Sequence, residues 1–151
     1  MTRTGTLRLK AETAEDLSVI SACLQDAVTV VADLAYVPSR RSFAAIFSRF
    51  RWEAEAHDHR QQRIIAGLHF DNVLEVQSQN FPQSEEKHIL DLLTIGCEEH
   101  DDAAATITLV FADGAAIKLK VECIEAYLRD VGEPWPTPRM PKHPVPEADA
   151  G

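Results

Sequence analysis

Arg49 and Arg51 stand two residues apart in the apolar run Ser42 to Trp52, and Arg60 and Arg63 lead into the next apolar run. In an extended chain alternate side chains share a face, about 7 Å apart. Arg49 and Arg51 therefore continue the line of Phe43, Ala45 and Phe47. Two guanidinium groups so placed, with Arg63 nearby, could clamp a phosphate or a carboxylate through parallel N–H donors. The plainer expectation is that this face leaves the core at its end. The arginines then pair with Glu53, Glu55 and Asp58 and contribute little to stability.

Other residues with chemical potential are scattered. His57-Asp58-His59 would present two imidazoles on one side of an extended segment, as half of a zinc site. No CxxC or HExxH spacing accompanies it, so a solvated loop is the better reading. His69 lies between Leu68 and Phe70, faces away from the apolar side, and reads as a structural or surface residue. Glu98-Glu99-His100-Asp101-Asp102 offers hard oxygen ligands but lacks the turn glycine and distal glutamate of a calcium loop. It reads as a solvated connection. There is no G-x-S-x-G elbow, P-loop or G-x-G-x-x-G, and the six glycines are isolated. Cys23, Cys97 and Cys123 are far apart beside apolar patterns, which predicts reduced, half-buried thiols. No catalytic residue, metal or cofactor follows from these residues.

The formal charge of −9 argues against nucleic acid or an anionic membrane as partner, because such contacts need excess Lys and Arg. The charge is uneven. Residues 38–70 hold six arginines against three acids, whereas the remainder holds nine bases and 21 acids. No apolar run approaches the roughly 20 residues of a membrane span. The start, MTRTGTLRLK, lacks the apolar stretch of a signal peptide, which points to the cytoplasm. A chain of 151 residues, 45% hydrophobic and 26% charged, fits one domain burying about 70% of its unfolded surface.

The elements that must position these residues follow from periodicity. Leu7 and Leu9 begin a strand, and Thr13-Ala14-Glu15-Asp16 resembles a capping box opening a helix with Leu17, Ile20, Leu24 and Ala27 inward. Val28 to Val37 reads as a strand turned by Pro38-Ser39-Arg40, and Ser42 to Trp52 as another, with a loop over 53–62. Further strands follow at Ile64 to Phe70, around Leu74 and Val76 after Asp71-Asn72, and at Leu90 to Cys97. Ile107, Leu109 and Phe111 alternate with Thr106, Thr108 and Val110, the period of a strand with one face on a core. Asp113-Gly114 can supply the positive φ angles of a two-residue hairpin turn. Ile117, Leu119 and Val121 return. Ile124, Tyr127, Leu128 and Val131 then fall on one helical stripe, stopped by Gly132 and Pro134.

These elements predict an α+β domain over 1–133, mostly antiparallel, and a proline-rich tail over 134–151. Seven strands closed by a C-terminal helix have the order of a pleckstrin-homology-like split barrel; an open antiparallel sheet with helices on one face satisfies the same pattern. Trp135 is expected to fold back and anchor the tail, or to serve as a partner contact beside the P-x-x-P spacings of Pro138, Pro141 and Pro144.

Four blocks carry a resemblance: Arg49-Phe50-Arg51-Trp52-Glu53, Gly67-Leu68-His69-Phe70, Val121-Glu122-Cys123-Ile124 and Gly132-Glu133-Pro134-Trp135. In order and spacing they resemble the domain-of-unknown-function 2948 family, found mainly in alphaproteobacteria. The resemblance runs from the Leu7 strand to Pro141-Lys142-His143, with no matching block in 79–88. It implies a stand-alone cytoplasmic protein and offers no catalytic residues to carry over. A complete structural pattern without a catalytic constellation leads to the expectation of a non-enzymatic binding or protein-interaction domain. The alternatives are an anion-binding protein or small enzyme using Arg49, Arg51 and Arg63, and a homodimer whose interface is the function.

Overall fold

The computed structural model describes residues 7–52 and 61–137. Its strands, in chain order, are β1 (Arg8–Ala11), β2 (Val28–Val30), β3 (Leu34–Val37), β4 (Ser42–Phe50), β5 (Gln61–Phe70) and β6 (Val73–Gln79). They continue with β7 (Ile89–Glu99), β8 (Ala105–Phe111), β9 (Ala116–Val121) and β10 (Ala126–Thr137); the helix α1 (Ala14–Cys23) follows β1. All pairings are antiparallel, in the order β1-β10-β5-β4-β2-β7-β8-β9-β6, and β3 pairs with β4 beside this path. The path ends at β1 and β6, which do not pair with each other, so the sheet is open and the expected barrel is not closed.

One core nevertheless draws on both ends of the path: Phe43, Phe47 and Leu68 meet Ile107, Leu109, Ile117 and Leu119. The sheet must curl to bring them together. The helix holds the curl, because it packs on both β1 and β7. Its start matches the sequence: Thr13 Oγ1 accepts from the Asp16 amide at 3.0 Å, and Asp16 Oδ2 accepts from the Thr13 amide at 3.2 Å. Leu17 and Ile20 are buried. On the same helix, Ser21 Oγ accepts from the Ile95 amide at 3.0 Å. That contact sits just past the irregularity of β7 between Leu92 and Thr94.

The largest departure from expectation lies at the C-terminal end, where the predicted helix is a strand. Residues 126–137 form β10 between β1 and β5. Ala126, Leu128 and Asp130 point inward, and Arg129 and Val131 are exposed. The segment supports both periods, since Ile124, Ala126 and Leu128 are apolar at a spacing of two. Hydrogen-bond ladders on both edges favour the strand, and neither neighbour is close in sequence. Gly132 does take a positive φ, 80°, but at a bulge between Val131 and Trp135 and not at a helix end. The strand therefore continues past residue 133, where the domain was expected to stop.

Smaller corrections concern turns. Val28 to Val37 is two strands separated by a short 3-10 turn over Val31–Asp33. Asp113 and Gly114 have φ of 66° and 79° as their types suggest. The connection is longer than two residues, however, with the Phe111 amide donating to the Ala115 carbonyl at 2.9 Å. The segments 53–60 and 138–151, with His57, His59 and the P-x-x-P spacings, lie outside the described residues.

The capping box yields a pH-dependent expectation. Asp16 is held below the usual carboxylate value, chiefly by the hydrogen bond from the Glu12 amide and then by Thr13. A depressed folded-state value means its stabilisation is complete above the unfolded value and fades as pH falls through the folded one. Chemical denaturation of Asp16→Asn and the parent should differ near neutral pH and converge below about pH 4. Thr13→Ala should cost about 1 kcal/mol near neutral pH in the same assay.

Candidate functional site

The three arginines of the expected anion site do not converge. Arg49 does continue the Phe43/Ala45/Phe47 line, but that face never leaves the core: the Arg49 side chain is fully buried. Its Nε and Nη2 donate to Asp130 Oδ1 and Oδ2, each at 2.8 Å, and its Nη1 donates to the Phe50 carbonyl at 3.3 Å. Arg51, also buried, donates to Gln62 Oε1. Arg63 pairs in register with Phe50, one step out of phase with Arg49 opposite Ile64. It thus lies on the other face of the sheet, where it donates to Ser48 Oγ at 3.0 Å and the Ser48 carbonyl at 2.8 Å. Desolvation lowers the Arg63 pKa, partly offset by Asp91 and Asp26. The expected partners Glu53, Glu55 and Asp58 lie outside the described residues.

Asp130 is the residue that sequence reasoning missed. On a helix it would have faced water; on β10 it faces the core. Ala66 of β5 stands between Phe47 and Asp130 in register, and a small side chain there leaves room for Arg49 to reach over β5. Asp130 Oδ2 also accepts from the Leu7 amide at 2.9 Å, and the Asp130 amide donates to the Leu7 carbonyl at 3.0 Å.

A second polar group gathers at the rim where β5 turns into β6. His69 and Asp71 are 2.7 Å apart. Tyr127 donates to Glu125, Asn72 Nδ2 donates to Glu125 at 2.9 Å and to Cys123 Sγ at 3.3 Å, and Lys10 Nζ lies 5.7 Å from the Tyr127 ring centre. The hydrogen bonds from Tyr127 and then Asn72 lower the Glu125 pKa, and the bond to Glu125 raises that of Tyr127. Backbone bonds from Asp71 to the Glu125 carbonyl and from Glu122 to the Asn72 carbonyl, both 2.9 Å, run through the same group. Its geometry is that of a staple between two turns. Cys23, Cys97 and Cys123 are half-buried and form no disulfide with one another, and burial raises the Cys97 pKa. No cluster of three or more His, Cys, Asp or Glu that could hold a metal occurs among the described residues.

A cleft of ≈ 510 Å³ lies between β3 and β6. Leu34 and Tyr36 form one wall, Val76 and Ser78 the other, with Phe43 and Ile117 beneath and Phe81, Gln83 and Glu86 around the mouth. β3 pairs only with β4, and β6 only with β9, so each wall has an unpaired strand edge among the described residues. At the start of β6 the Val73 amide donates to the carbonyl of Arg41, in the turn between β3 and β4, at 2.8 Å.

Residues 7–143 match the model of the family described as "Protein of unknown function (DUF2948)". The chain belongs to that family. No curated protein and no solved structure matches it. The DUF2948 match contains both members of the buried ion pair and both walls of the cleft. Among the described residues, no helix is long and apolar enough to cross a membrane.

Arg49 and Asp130 are thus structural partners in this DUF2948 chain, and removing either breaks a buried ion pair with its two hydrogen bonds. Arg49→Met or Asp130→Leu alone should lower the unfolding free energy by about 3–5 kcal/mol, and the double variant should recover most of that loss. Urea denaturation of the three variants checks this as a double-mutant cycle.

Proposed function

We propose that this protein is a non-enzymatic binding domain that takes an extended polypeptide segment into the cleft between β3 and β6. The supporting observation is the pair of unpaired strand edges flanking one cleft, whose lining residues are mostly apolar in type and whose open surface is mostly polar. An extended segment can satisfy such an edge with main-chain hydrogen bonds while alternate side chains enter the cleft. A strand added there would also bring the curled sheet towards the pleckstrin-homology-like barrel suggested by the strand order.

The chemistry of the lining favours binding over catalysis. Among the described residues it contains no histidine, cysteine, lysine or arginine, and Glu86 is the one charged residue. Apolar residue types beneath a mostly polar open surface suit main-chain hydrogen bonding alongside side-chain contact. Glu86, on a chain of net charge −9, selects a segment with a basic residue at the end nearest the mouth and apolar residues at alternate positions.

A synthetic peptide of alternating valine and lysine, titrated into the isotope-labelled full chain, tests this reading. Amide shifts should concentrate in β3 and β6. Glu86→Lys and Ser78→Arg should each weaken binding by about tenfold or more, equivalent to about 1.4 kcal/mol. Shifts confined to other strands, or unchanged affinity in both variants, would sink the proposal.

A further inference from the structure

The outer face of β1, β10, β5 and β4 carries a second feature, independent of the cleft. Arg8 of β1 and Arg129 of β10 are directly opposed in register, and both are exposed. Like charges directly opposite on neighbouring strands repel. Neither guanidinium has an ion-pair or hydrogen-bond partner among the described residues. The same row continues to Gly67 and Ile46. A Cβ built on Gly67 meets nothing within 4 Å, so the sheet surface beside Arg129 is open. Ile46, Val131 and Trp135 share this face and are 48%, 49% and 40% exposed. Two uncompensated arginines therefore stand beside the exposed Ile46 and Val131, with Trp135 further along in the row of the half-buried Arg63, on an otherwise acidic protein.

We propose that this face docks an acidic polypeptide segment, with carboxylates held by Arg8 and Arg129 and apolar side chains laid on Ile46, Val131 and Trp135. Carboxylates suit the paired guanidinium groups through charge-assisted, bidentate hydrogen bonds. An adjoining aromatic and aliphatic patch suits a protein partner. A second copy of this chain is disfavoured, because stacking two such faces would gather four guanidinium groups. Nucleic acid and anionic membranes need a broader basic surface than two arginines on a chain of net charge −9 supply.

The test uses the full chain and an acetylated peptide of alternating glutamate and leucine, with alternating lysine and leucine as control. Binding of the glutamate peptide should shift the amides of Arg8, Gly67 and Arg129 and weaken as salt rises. It should fall about tenfold or more in the double variant Arg8→Gln/Arg129→Gln. That variant should melt no lower than the parent, since it removes a repulsion. Valine–lysine peptide binding at the cleft should be unchanged in it, which separates failure here from failure there. Lysine-control shifts at the same Arg8, Gly67 and Arg129 amides, glutamate-peptide shifts confined to other strands, or unchanged glutamate-peptide affinity in the double variant would overturn the proposal. So would binding only of a phosphoserine-substituted probe, or sedimentation showing that this face is covered by a second copy.

Discussion

A guanidinium group can be buried only if its charge and its donors are met where it lies, and for Arg49 Asp130 supplies an opposing charge and two of the acceptors. The pair spans three strands. Arg49 starts from β4, crosses the small Ala66 of β5 and ends on β10, while the second oxygen of Asp130 holds the amide of Leu7 just ahead of β1. The register of four strands is tied to one carboxylate. A slip of one residue in β10 would turn Asp130 to water and Arg129 to the core, leaving Arg49 uncompensated. An apolar pair would serve stability as well. An ion pair adds the requirement that one alignment be chosen over its neighbours.

The same architecture decides where the sheet stays open. β4 is shared along its outer edge by β3, opposite Ser42–Ala45, and by β2, opposite Ser48. From there β2 leads on to β7, while β3 is left with one neighbour. On the helix side the uncovered part of β7 is met by Ser21, whose hydroxyl accepts from the Ile95 amide. Between β3 and β6 no described element plays that part, and the result is the cleft. The outer sheet face is likewise uncovered at Gly67. Both candidate docking surfaces are thus places where the sheet lacks a covering element, one at an edge and one on a face.

Much of this was legible in the residues, and the misses have one cause. The capping box, the alternation of β4, β5, β8 and β9, the positive φ at Asp113, Gly114 and Gly132, and the outward face of His69 all follow from local chemistry. The arginine cluster was located correctly along the strand and misjudged in space. Arg49 and Arg51 share a face, but Arg63 belongs to the other one because Phe50, and not Arg49, is its partner. The walls of the cleft come from Leu34–Tyr36 and Val76–Ser78, segments that nothing in the sequence brings side by side.

The C-terminal segment marks the boundary most clearly. Residues 124–131 carry an apolar spacing that fits a helix and a strand, and a local pattern has no means of choosing. The choice was made by β1 and β5, more than a hundred and about sixty residues back along the chain, which offer ladders on both edges of β10. With that choice went the meaning of Asp130 and the pairing of Arg8 with Arg129. By itself the sequence determined which residues are apolar, where turns are affordable and that no familiar catalytic motif is present. Only the tertiary structure decided which strands are neighbours, because pairing is a contact between distant segments whose selectivity resides in the register of both.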